Sequence, residues 1–179
     1  MGFDLYGENP KQRANIDKFP TYSKYVDMNF SEKLEKFEKD EKLQTKYYNE
    51  MSEYEEANPG NYFRNNCWWW RPLWSYVCDV CDHILDEEDM EHGSYNDGHV
   101  ITEDKAIAIA DVLDKLLDAG DVDKHMVEYE AARAQAEVNN EGKKCSEDGY
   151  DWSASYPFDR QNIEEFSVFC RESGGFSIC

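Results

Sequence analysis

Apolar residues recur along the chain with different periods, and each period predicts an element. Phe3 and Leu5 alternate with polar neighbours up to Tyr6, and Gly7, Asn9 and Pro10 follow. This reads as a short strand closed by turn residues. Residues 11–28 have no clear period, and Tyr22, Tyr25 and Val26 are expected to cover a core from a loop. Residues 30–57 read as one charged helix, with Asn29 as cap and Glu32 three residues on, as in a capping box. Its apolar face is thin, built on Leu34, Phe37, Leu43, Tyr47, Tyr48, Met51 and Tyr54, so the helix should lie on a surface. Asn58, Pro59 and Gly60 stop it.

The segment Tyr62–Leu85 is the most apolar. Pro72 suits the first turn of a helix, where its missing N–H costs nothing. Leu73, Trp74, Val77, Cys81, Ile84 and Leu85 then recur at three and four residues, predicting a central core helix over Trp70–Leu85. The acidic stretch 86–99 contains Gly93 and Asn96-Asp97-Gly98 and reads as a turn-rich loop. Thr102 caps a helix whose expected buried face is Ala106, Ile109, Ala110, Val112, Leu113, Leu116 and Leu117, and Gly120 ends it. Residues 121–139 form an Ala-rich helix and 140–157 a loop. Asp159 caps the last helix, with Phe158 and Ile163 placed as a hydrophobic staple. Gly174-Gly175 ends it, and Phe176–Cys179 alternates again as a strand. Neither end segment can form a sheet alone, so the two should pair. The predicted fold is mainly α: one domain over residues 1–179, a bundle of about five helices with a small sheet pairing the N- and C-terminal segments. The 70–85 helix should pack against the 102–118 and 160–173 helices.

Charge narrows the function. The chain has 39 Asp+Glu against 19 Lys+Arg, a formal net charge of -20. This argues against nucleic-acid binding and against a polybasic membrane anchor, both of which need a basic footprint. From Pro72 to Asp104 there is no Lys or Arg. Asp86, Glu87, Glu88, Asp89 and Glu91 are therefore candidates for contacting a basic protein partner, unless lysines from 33–46 fold over them. No basic leader with an apolar run is visible, and no apolar stretch approaches the ~20 residues of a membrane span. The expectation is a soluble, cytoplasmic protein whose six cysteines are thiols.

Other chemistry is sparse. Cys78 and Cys81 share a helix face, but His83 falls on the other side, so a zinc site there is incomplete and no metal or cofactor is expected. The acids of 86–97 lack the alternating spacing of a calcium loop. His83, His92, His99 and His125 match no recognised catalytic motif. Three consecutive tryptophans, Trp68, Trp69 and Trp70, cannot all face one core from a helix, so at least one should be exposed or cover another element. Arg64, Trp68, Trp69 and Arg71, with His92, Asp97 and His99 in the loop, are the candidate ligand-binding residues, able to stack on and bond to an aromatic or nucleotide ligand.

The segments MGFDLYG, NYFRNNCWWWRPLW, NDGH and SGGFSIC resemble those of a family of uncharacterised phage and bacterial proteins. The resemblance covers the first seven residues and most of 62–179, and the WWWRPLW run is its most specific part. Its members have a shorter gap after the opening motif, which implies that residues 11–58 elaborate a smaller core. It implies a phage or environmental origin and transfers no activity. Two readings stand. One is a non-enzymatic accessory protein whose acidic surface contacts a basic protein; the other is a pocket protein or enzyme working through the Trp/Arg cluster and His loop.

Overall fold

The computed structural model describes residues 2–179. Four strands form one antiparallel sheet in the order β2-β1-β4-β3: β1 (Gly2–Gly7), β2 (Tyr62–Asn66), β3 (His99–Ile101) and β4 (Phe176–Ile178). The two end segments pair as expected, with Leu5 opposite Ile178 and Gly7 opposite Phe176. β2 and β3 extend the sheet beyond the sequence reading. Phe3, Leu5, Phe63, Ile101, Phe176 and Ile178 are buried on the helix-covered face. Asp4, Tyr6, Tyr62 and Arg64 take the alternate positions on the outer face.

Eight α-helices occur among the described residues, more than the five expected: α1 (Pro20–Tyr25), α2 (Phe30–Lys39), α3 (Glu41–Ala57), α4 (Cys67–Val80), α5 (Glu87–His92), α6 (Glu103–Ala119), α7 (Asp121–Asn139) and α8 (Arg160–Glu172). The single helix read over 30–57 breaks at Asp40. That residue leaves helical geometry, at φ -146° and ψ 88°, and its carboxylate accepts from Leu43 N at 3.0 Å to cap α3. α1 stands where a loop was expected, and α5 lies inside the stretch 86–99 that was read as a turn-rich loop. Helices α1–α3 pack around Tyr25, Phe37 and Tyr47, a small cluster separate from the main core.

The core helix α4 is shifted from its expected bounds. It starts at Cys67 because Asn66 Oδ1 accepts from Trp68 N at 3.0 Å and from Trp69 N at 3.2 Å. Pro72 thus lies in the second turn, not the first, and the Trp68 carbonyl loses its helical donor. The helix ends at Val80, and Leu85 reaches the core through a turn in which its N–H bonds Cys81 O at 2.9 Å. As expected, α4 packs on α6 and α8, which also pack on each other. Trp70, Val77, Ile109, Leu113, Ile163 and Phe166 are fully buried between them. At the end of α6, Gly120 adopts φ +73°, a left-handed cap that an L side chain would strain. No helix among the described residues is long and apolar enough to cross a membrane.

Candidate functional site

The three tryptophans take three directions. Trp70 is buried in the core. Trp68 is 39% exposed and lies against Tyr156, with ring centroids 5.1 Å apart. Trp69 faces a shallow hollow beside Asn65, Asp159 and Asn162. Arg71 donates from Nη1 to the Tyr156 hydroxyl and holds its guanidinium 5.6 Å from that ring. Arg64 stands apart, on the outer face of the sheet, where it pairs with Asp4 at 3.5 Å.

Trp70 organises the rest. Its ring stacks on Trp74 at 5.4 Å and on Phe3 at 5.4 Å. Its Nε1 donates to Gly93 O at 2.8 Å, and Trp74 Nε1 donates to Met90 O at 3.2 Å. These bonds satisfy two buried donors and fix α5 across α4. Gly93 lies flat on Trp74; a Cβ there would fall 2.0 Å from the indole.

The loop after α5 brings His92, Asp97 and His99 together, and adds Asp89. His92 Nδ1 is 2.5 Å from Asp97 Oδ2, and His99 Nε2 is 2.9 Å from Asp89 Oδ1. The two imidazoles stack at 5.2 Å. Asp89 is buried and also accepts from Lys105 Nζ and from Asp86 N at 3.1 Å. Asp86 in turn accepts from Asp89 N at 3.0 Å, completing a capping box, and from Lys105 Nζ at 2.7 Å. Asn96 Nδ2 donates to Gly2 O at 2.7 Å and Gly98 N to Ile178 O at 2.8 Å, pinning the loop to the sheet.

The Asp97 contact raises the His92 pKa, mainly through its hydrogen bond. A histidine with a raised folded pKa stabilises the fold fully below its unfolded value, about 6.5, and loses that stabilisation as pH rises through the folded value. Melting temperature is therefore expected to fall more steeply between roughly pH 6 and 8 in the native chain than in Asp97→Asn, which keeps the acceptor for His99 N. Parallel slopes in thermal melts would refute the coupling.

The five acids assigned to a partner surface divide. Asp86 and Asp89 are committed to the capping box and Lys105. Glu87, Glu88 and Glu91 are exposed and make no ion pair among the described residues. Lys105 ties α5 to the first turn of α6, which also carries the exposed Glu103 and Asp104. The lysines of 33–46 do not cover these acids. Lys39 pairs with Glu35 at 3.9 Å, Lys46 with Glu50 at 3.7 Å, and Lys33 bonds Val26 O and Tyr47.

Between α4 and α5 lies a half-open groove of about 530 Å³. Trp70, Arg71, Trp74 and Cys78 line one side, and Met90, Ser94 and Tyr95 the other. His92 and His99 lie outside this lining, although His92 packs edge-on to Tyr95 at 5.8 Å. Burial pushes the Cys78 thiol up to about 11 and Cys81 up to about 12, so neither offers a ready thiolate. His83 is exposed beside Asp82, and His125 packs among Tyr76, Tyr129 and Phe158. Among the described residues, no three or more His, Cys, Asp or Glu are grouped to hold a metal ion.

Sequence reasoning missed Lys105 and Tyr95. Lys105 is the first cation after the cation-free stretch, and Asp86-x-x-Asp89 already carried the cap-to-third-residue spacing of a helix start. Tyr95 had no local signal. No protein-family model, no curated protein and no solved structure matches the chain.

Proposed function

We propose that the chain is a non-enzymatic accessory protein, phage-encoded as the resemblance implies, that contacts a basic protein partner through α5 and the first turn of α6. The observation that carries this reading is the uncompensated charge there. Glu87, Glu88, Glu91, Glu103 and Asp104 are exposed and make no ion pair among the described residues, and Lys105 is already engaged by Asp86 and Asp89. Repulsion among these acids is relieved when a basic surface arrives, and the field accelerates the encounter. The test is capture of basic host and phage proteins by the native chain and by a Glu87→Lys, Glu88→Lys, Glu91→Lys variant, which spares the capping box. Binding is expected to weaken at least tenfold between about 50 and 300 mM salt, where the Debye length shrinks well below 15 Å, and to vanish in the variant. Salt-insensitive binding, or binding that survives the reversal, refutes the proposal.

A second reading rests on the groove. It joins the Trp helix to the α5 loop, and Arg71 supplies a cation at its mouth for an anionic ring compound such as a nucleotide. Quenching of tryptophan fluorescence by nucleotides in the native chain, lost in Arg71→Ala, would favour it over the acidic face.

A further inference from the structure

A second hollow, of about 440 Å³, opens between α3 and the outer face of the sheet. Tyr6 and Tyr62 come from the sheet, Tyr22 from α1, and Met51, Tyr54 and Glu55 from α3. The phenol rings stand in two pairs, Tyr6–Tyr62 at 5.3 Å and Tyr22–Tyr54 at 5.2 Å. Two hydroxyls are turned away into fixed bonds, Tyr54 to Gln12 Oε1 at 2.8 Å and Tyr62 to Asp4. Glu55 is half-buried among them, and no cation or hydrogen-bond donor reaches its carboxylate among the described residues. It lines the hollow together with both pairs. Among the described residues the lining holds one cation, Arg64, which pairs with Asp4 at 3.5 Å.

Aromatic rings attract a cation through their negative faces, and an unpaired carboxylate removed from water needs one. We propose that this tyrosine cage receives the side chain of a lysine or arginine from a basic segment of a protein partner. The adjoining surface says what stands next to that residue. A trough of about 470 Å³ shares Glu55 and Tyr62 with the cage. Pro59, Phe63, Val168 and Phe169 make it apolar, and Glu56, Glu165 and Glu164, the last paired with Arg160 at 2.8 Å, complete its lining. Val168 is 44% exposed there. An apolar floor with an acidic rim suits a large apolar side chain flanked by further basic residues. The site lies by β2, at the sheet edge opposite β3 and α5, and does not depend on the α5 reading.

The test uses the full chain and a fluorescein-labelled peptide of alternating lysine and leucine, followed by anisotropy at about 0.15 M salt. Glu55→Gln is expected to weaken binding about tenfold and Tyr6→Leu about threefold. Acetylation of the peptide lysines should abolish binding. Every measurement is made in a chain that also carries Glu87→Gln, Glu88→Gln and Glu91→Gln, so that binding of the peptide at α5 does not contribute. Thermal melts check that each variant folds; Glu55→Gln keeps the shape of an unpaired group and decides the matter if Tyr6→Leu does not fold. Native-like binding by Glu55→Gln, equal binding of the acetylated peptide, or no binding at millimolar concentration overturns the proposal. So does saturable binding of tetramethylammonium without any of the peptide, which would assign the cage to a free small cation.

Discussion

Trp70→Ala is expected to lower stability by about 4 kcal/mol, the largest loss from any single truncation in this fold. The side chain is fully buried and stacks on both Phe3 and Trp74. Its removal leaves a cavity at the meeting point of α4, β1 and α8, because Phe166 also packs edge-on against it. It also orphans the Gly93 carbonyl, to which Nε1 donates at 2.8 Å. Trp70→Phe separates the two contributions. It keeps a stacked ring and loses the hydrogen bond, and should cost about 1–2 kcal/mol, bond and partial cavity together. Urea unfolding measures both. The alanine variant should also lose about 10 °C in melting temperature, given the few degrees per kcal/mol typical of this size. A loss below about 1.5 kcal/mol for Trp70→Ala would show that the column of rings repacks.

Asp89→Ala is expected to cost about 3 kcal/mol. Its carboxylate is buried and takes three donors: Lys105 Nζ, Asp86 N at 3.1 Å and His99 Nε2 at 2.9 Å. Truncation leaves all three short of an acceptor. The figure sits at the low end of the range for broken buried pairs because Lys105 keeps Asp86 and is partly exposed. Asp89→Asn preserves shape and some acceptor capacity and should cost less, about 1–2 kcal/mol. Hydrogen exchange distinguishes this defect from that of Trp70. Amides of α5 and the 93–98 turn should exchange faster in Asp89→Ala, while those of α6 and α8 follow only the global change. Unchanged α5 protection would mean that the two Trp donors alone hold that segment.

Much of this fold was legible where burial is one-sided. The α6 and α8 stripes, the Asp159 cap and the alternation of residues 3–6 and 176–179 each state their own geometry. What escaped is instructive. β2 runs through Tyr-Phe-Arg-Asn-Asn, where only Phe63 points to the core, so alternation has one apolar point and no period. β3 is three residues long and exists through its pairing with β4. The break at Asp40 was hidden by strong helix formers on both sides; a cap competes with helix continuation, and only tertiary packing of Phe37 on Tyr47 settles which wins. The site was legible in part. His92, Asp97 and His99 lie close in sequence, and the loop joins them. Arg64 was grouped with the tryptophans by proximity in the chain, but strand alternation sends it to the outer face. The tyrosine cage draws on four separate elements, and no window of sequence could have contained it.

The position of β1 has a consequence for how the chain is made. β1 lies at the centre of the sheet, yet its neighbour β4 is separated from it by some 170 positions, as in the pair Tyr6 and Ser177. During synthesis β1 and β2 emerge well before β4, and β1 keeps one edge unpaired until Phe176–Ile178 follow. β3 likewise has no strand to join before then. The helices can assemble earlier, because α4 and α6 meet over much shorter separations. Closure of the sheet is thus a late event, set by the arrival of β4 between β1 and β3 rather than by local propensities.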